Sequence, residues 1–114
     1  MTLEQISQKL GLTALTPGLN AARQVSAGFA SDLLSDVLAN GPRDGVLVTV
    51  QVHLNVIAVA LHAELAGVIF AAGRKPDDGV IAKAVEAGVV LFGSDLPAFE
   101  LVGRLYALGV KGVA

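Results

Sequence analysis

Short apolar runs recur along this chain, each preceded by a glycine and a stretch of helical patterning. Gly67, Gly88 and Gly109 are spaced at 21 residues, and Gly45 lies 22 before the first of them. The surroundings repeat as well. Ala66-Gly67-Val68-Ile69-Phe70 matches Ala87-Gly88-Val89-Val90-Leu91-Phe92, and Leu108-Gly109-Val110 begins a third copy. Glycine adopts a positive φ without a Cβ penalty, so each is expected to end a helix and release the chain into a strand. A strand, a helix and two tight loops consume about twenty residues, whereas helical-hairpin repeats run past thirty. The period therefore predicts successive strand-helix units and a parallel sheet.

Strands are predicted over 46–50, 68–70 and 89–92, with a fourth over 24–29 and an edge strand over 12–15. Helices are predicted over 2–10, 31–40, 55–66, 77–87 and 97–108. Thr2 is placed to cap the first helix and Gly11 to stop it. Asp77 and Asp78 come directly after Pro76, where acids suit the positive end of a helix dipole. The 55–66 segment is almost wholly apolar, which predicts a deeply packed helix and puts His62 in the core or an interface. The fold class is thus α/β. One domain spanning 1–114 is expected, of repeated βα units with a mainly parallel sheet of four or five strands flanked by helices.

Composition sharpens this picture. Apolar residues make up 54% of the chain and charged residues 16%, which excludes a disordered tail. So much apolar surface exceeds what a small domain buries in its own core, and a homodimer is the expected cover. The net charge of −2, with acids and bases scattered, gives no electrostatic footprint for nucleic acid, and few aromatics remain for base stacking. No cysteine is present and the two histidines cannot by themselves assemble a metal site, so no metal or cofactor is expected. Residues 45–63 carry no formal charge, but Gln51, His53, Asn55 and His62 interrupt them, and a strand followed by a helix explains them better than a membrane span. The first residues carry an early acid and no basic lead into an apolar stretch, so a cytoplasmic location is expected.

In an open parallel sheet, ligands bind outside the carboxyl ends of the strands. The polar residues just past each predicted strand are Ser31 and Asp32, then Gln51, His53 and Asn55, then Gly73, Arg74 and Lys75, and last Gly93, Ser94 and Asp95. Ser31, Asp32, Asn55 and Asp95 have an alternative role as helix caps, and 73–76 as a solvated turn. An arginine beside glycine-rich backbone is suited to phosphate or carboxylate. Enzyme motifs are missing. The Gly-Arg-Lys triplet is followed by Pro76, so it is no phosphate-binding P-loop, and no strand precedes Gly-x-Gly-x-x-Gly. Neither Gly-x-Ser-x-Gly nor His-Glu-x-x-His occurs.

The segment Gly28-Phe29-Ala30-Ser31-Asp32-Leu33-Leu34-Ser35-Asp36-Val37 resembles the DRTGG domain family. The resemblance continues through Val48-Thr49-Val50-Gln51-Val52-His53-Leu54-Asn55, through Gly73-Arg74-Lys75-Pro76-Asp77, and through 99–106. Ala27 stands where the family's pattern has the first glycine of a pair, which bears on any close backbone approach there. Such domains occur alone and as regulatory parts of larger proteins, and are similar to the N-terminal domain of HPr kinase/phosphorylase. The kinase activity there belongs to a separate P-loop domain, so the resemblance implies no enzyme. The expectation is a stand-alone, homodimeric regulatory module that senses an anionic metabolite or nucleotide. Its binding residues are expected to be Ser31, Asp32, Gln51, His53, Asn55, Gly73, Arg74 and Ser94. The alternative is a protein–protein interaction subunit without a small-molecule ligand.

Overall fold

A computed structural model describes residues 1–113. Among the described residues lie five helices and five strands, alternating except where the first two strands follow one another. They are α1 (Leu3–Leu10), β1 (Thr13–Ala14), β2 (Gly28–Ala30), α2 (Leu34–Asn40), β3 (Val46–Thr49), α3 (Asn55–His62), β4 (Gly67–Phe70), α4 (Asp78–Ala87), β5 (Leu91–Gly93) and α5 (Ala98–Ala107). The sheet runs in the order β1-β5-β4-β3-β2; β2 to β5 are parallel and β1 pairs antiparallel with β5. The α/β class and the mainly parallel sheet match the expectation drawn from the glycine period.

The two central strands explain the layering. Every residue of β3 and β4 is buried, so both faces of the sheet must be covered. Each of β3, β4 and β5 is added on the same side of the strand before it, and right-handed crossovers then place α2, α3 and α4 together. Val37, Val56, Ile57, Ala60, Val80 and Ala84 from these helices meet Leu47, Val68, Phe70 and Leu91 of the sheet. On the opposite face, Leu3 and Ile6 of α1 and Leu101 and Leu105 of α5 meet Val46, Val48, Ile69 and Phe92. Thr2 and Gln5 form a reciprocal capping box at the start of α1, and Gly11 ends it at φ 61°.

The glycine spacing hides two different causes. Gly88 (φ 77°) and Gly109 (φ 100°) are left-handed, as the pattern predicts. Gly45 and Gly67 are not; the left-handed residues there are Asp44 (φ 60°) and Glu64 (φ 55°). Gly67 already lies within β4, and a Cβ on it would overlap Leu3 Cδ2 and stand 3.0 Å from the Val90 carbonyl oxygen. A Cβ on Gly45 would lie 2.7 Å from the Pro42 carbonyl oxygen. Close approach, not helix termination, requires glycine at these two places.

Other expectations need correction. The fourth strand is Gly28–Ala30, because residues 24–26 bond elsewhere: the Val25 amide donates to the Met1 carbonyl at 3.0 Å and the Ser26 amide to the Asp44 carbonyl at 2.9 Å. α3 stops at His62, four residues early, as the chain turns left-handed at Glu64. His62 is exposed on that last turn and belongs to no core. Among the described residues the third repeat forms no strand, only an isolated bridge at the far edge of the sheet. Gly112 bridges Gly28 in parallel, and the Gly28 amide donates to the Lys111 carbonyl at 2.8 Å.

Sequence reasoning missed Arg23. Its guanidinium donates to the Asp44 carboxylate at 2.6 Å, to the Leu65 carbonyl at 3.0 Å and to the Glu64 carbonyl at 2.9 Å. One side chain thereby ties the two left-handed turns that lead into β3 and β4. Among the described residues, no helix is long and apolar enough to cross a membrane.

Gly67→Ala is expected to lower unfolding stability by about 1–3 kcal/mol, because the new methyl has backbone on one side and Leu3 on the other. Gly18→Ala, where a Cβ meets nothing, is expected to stay within about 0.5 kcal/mol. Urea unfolding of the two variants checks this, and equal midpoints would refute the close-packing account.

Candidate functional site

Four parallel strands direct their carboxyl ends to one rim, formed by residues 31–33, 50–54, 71–77 and 94–97. Strand order never reverses among β2 to β5, so no topological switch point opens a crevice between them. Whatever the rim can bind is shaped by its loops and helix starts.

The loop after β4 is the most constrained of these. Ala72 and Gly73 are consecutive left-handed residues at φ 58° and 68°. The Ala72 amide donates to the Leu96 carbonyl at 2.7 Å and the Gly73 amide to the Ser94 carbonyl at 2.9 Å, which fasten this loop to the one after β5. An alanine held left-handed is strained, and the two bonds hold it there. Arg74 and Lys75 then emerge side by side, exposed, and neither makes an ion pair among the described residues. They border a niche of about 120 Å³ with Gly73, Ser94, Asp95 and Thr13. Asp95 Oδ1 lies 3.5 Å from where a Cβ on Gly73 would stand. Two cations against one carboxylate leave the niche net positive.

On the other side of the same loop lies an open groove of about 420 Å³, lined by Val52, His53, Leu54, Asp77, Gly79 and Val80. Its geometry is set by a chain of side-chain-to-backbone bonds. The His53 amide donates to Gln51 Oε1 at 3.1 Å, and the Asn55 amide donates to His53 Nδ1 at 3.0 Å. With Nδ1 accepting, the neutral imidazole carries its proton on Nε2. Asp77 precedes α4, yet its carboxylate makes no cap bond.

Ser31 and Asp32 serve the fold. Ser31 Oγ accepts from the Leu33 amide at 3.2 Å. Asp32 Oδ1 accepts from Thr49 Oγ1 at 2.9 Å and from the Val50 amide at 2.8 Å, clasping the ends of β2 and β3. Thr49 is buried, and its hydroxyl also accepts from the Gln51 amide at 3.0 Å. None of Ser31, Asp32, Asn55 or Asp95 caps a helix; the cap positions fall to Leu33, Leu54 and Pro97, without side-chain bonds. Ser94 Oγ accepts from the Leu96 amide at 3.1 Å.

The eight expected binding residues therefore fall into groups. Gly73, Arg74 and Ser94 share the positive niche. His53 lines the groove beside it, with Gln51 and Asn55 bracing its loop. Ser31 and Asp32 line neither cavity. Thr13, Asp77 and Gly79 were not among the expected eight. Asp77 was legible as a dipole acid and as the end of the 73–77 resemblance segment, and Thr13 reaches the niche through the pairing of β1 with β5, which carries no local signal. Ala27 is buried at the amino end of β2, away from the rim, so its departure from the glycine pattern touches neither cavity.

A third cavity lies on the opposite side of the molecule from the crossover helices. It is an apolar groove of about 260 Å³ where the small residues Gly28 and Ala30 leave space beside Val102, Tyr106 and Val113. Nearby on α5, Phe99 is 92% exposed.

No protein-family model and no curated protein sequence matches the chain. A solved structure does. It holds the CBS and DRTGG domains of the regulatory region of Clostridium perfringens pyrophosphatase, complexed with its activator diadenosine tetraphosphate. The TM-score is 0.74 at 11% identity over 96% of this chain. The chain spans about half the length of that region, 47%. The likeness is one of fold, and it agrees with the DRTGG-like fold that the residue resemblance implies.

Thr49→Val removes the hydroxyl that joins Asp32 to the Gln51 amide, and is expected to cost about 1–3 kcal/mol. Chemical denaturation checks it; an unchanged midpoint would mean that the clasp adds nothing to stability.

Proposed function

We propose that the chain is a non-catalytic regulatory module, a single domain over its whole length, that senses an anionic metabolite or nucleotide at the carboxyl rim of its sheet. The observation that carries this reading is the pair Arg74 and Lys75, two unpaired cations presented over a niche by a loop whose backbone is fastened at Ala72 and Gly73. An arginine fork beside a lysine matches the oxygens of a phosphate. The niche holds about 120 Å³, well below the roughly 300 Å³ at which pockets begin to enclose a drug-sized ligand. It therefore takes the anionic end of a ligand and not the whole of it. The fold's likeness to a regulatory region that binds a dinucleotide activator supports the same class.

The module acts as a homodimer in the cytoplasm. Support for the dimer comes from α5, where Phe99, Val102 and Tyr106 stand at helical spacing on one outward stripe beside the apolar groove. The same stripe favours the second reading, a protein–protein interaction subunit with no small ligand, because exposed apolar patches mark docking faces.

Thermal unfolding against nucleotides and phosphorylated metabolites separates the two. A ligand at 100 times its dissociation constant adds about 2.7 kcal/mol, on the order of ten degrees in midpoint for a domain of this size. Arg74→Ala is expected to weaken the responding ligand at least about tenfold, the loss of one charge-assisted contact. A flat panel would favour the interaction subunit. Phe99→Glu is expected to shift the protein from dimer to monomer in sedimentation, and a dimer that survives it would place the interface elsewhere.

A further inference from the structure

We propose that the groove beside the Arg74 loop is the nucleoside half of a two-part site, so that the ligand is a nucleoside phosphate. This rests on the anion reading above and extends it to residues that reading does not use. The niche and the groove lie on opposite sides of one loop, with Arg74 and Lys75 bordering the first and Asp77 the second. Three residues of chain span at most about 10 Å, so one small molecule can reach both. The groove is open to solvent, and its volume of about 420 Å³ leaves room for a base and a ribose to lie against it.

Its lining fits a base and a ribose better than a second phosphate. Asp77 in the lining, with Asp78 next to it in the chain, repels phosphate, and neither makes an ion pair among the described residues. A carboxylate that neither caps its helix nor pairs with a cation is suited to accept two bonds from a ribose diol. Val52, Leu54 and Val80 offer apolar surface, and Leu54 is half exposed at the mouth. The His53 ring, oriented through the Asn55 amide, offers a π face for a base and an Nε2 proton for its edge. Gly79 has nothing within 4 Å of where its Cβ would stand, so the wall beside Asp77 is open. Charge fixes the direction of the ligand: phosphates toward Arg74 and Lys75, ribose toward Asp77.

The test titrates the whole chain with ATP, 2′,3′-dideoxy-ATP, adenosine and inorganic tripolyphosphate by calorimetry. ATP is expected to bind more tightly than tripolyphosphate, and dideoxy-ATP to lose about tenfold against ATP. His53→Ala and Asp77→Asn are expected to weaken ATP by about the same factor without weakening tripolyphosphate, which Asp77→Asn can only strengthen by removing a repelling charge, while Arg74→Ala weakens both. Tripolyphosphate binding as tightly as ATP, or dideoxy-ATP binding like ATP, would overturn the nucleoside half and leave the anion niche standing. If neither ATP nor tripolyphosphate binds, both fall together. The dideoxy comparison uses the unaltered protein, so a variant that fails to fold does not blunt the result.

Discussion

Parallel strands that are apolar on both sides cannot stop at a single layer of helices. β3 and β4 are buried along their whole length, and each helix of the molecule is placed by the need to shield one side of them. Burying a large apolar side chain contributes about 1.5–3 kcal/mol, and the fully buried set includes Leu47, Ile57, Ile69, Phe70, Leu91 and Leu101 from both clusters. The chain meets the requirement asymmetrically. Three crossover helices cover one face as a consequence of the strand order, while α1 and α5, from opposite ends of the described chain, must share the other. They cover it only in part: where α5 passes the short edge strand β2, the small residues Gly28 and Ala30 leave a groove.

The same constraint creates the rim. With β2 to β5 parallel, the loops that carry Asp32, His53, Arg74 and Ser94 must all arise at one end. An uninterrupted strand order provides no ready crevice, so the shape of the rim is left to local backbone devices. The most specialised of these is the left-handed pair Ala72 and Gly73, stitched to the β5–α5 loop. Its effect is to divide the rim into a positive niche and a neutral-to-acidic groove within a few residues of each other.

Much of this architecture was legible in the residues, because the 21-residue glycine period and the apolar runs behind it are repeated local signals. What escaped was long-range. Glycine at 45 and 67 looks like glycine at 88 and 109, yet only the packed neighbours Pro42, Leu3 and Val90 reveal why it is needed there. The run 24–29 has strand-like alternation, but hydrogen bonds to Met1 and Asp44 draw its first half out of the sheet. Arg23 gave no motif at all; its three acceptors come from turns about twenty and forty residues away. At the rim, the set of polar residues was legible and their division of labour was not. Ser31 turned structural through a local bond from the Leu33 amide, in place of the cap role that its position suggests, whereas Asp32 serves a buried Thr49 seventeen residues away that nothing adjacent in sequence announces.

The bridge between Gly28 and Gly112 has a bearing on how the chain assembles. Each parallel pairing within β2 to β5 joins strands only about twenty residues apart, so each closure carries a similar entropic cost and the sheet can grow strand by strand. The Gly28–Gly112 pairing is different in kind, because it closes a ring around all four strands. By the logarithmic dependence on loop length, closing that ring in an open chain would cost roughly 1 kcal/mol more than any single step. Once the four strands and α5 are docked, most of that distance has already been spanned. Val110 seats beside Leu105, and the Gly112 bridge thus adds little entropic cost to a sheet whose other pairings are already made.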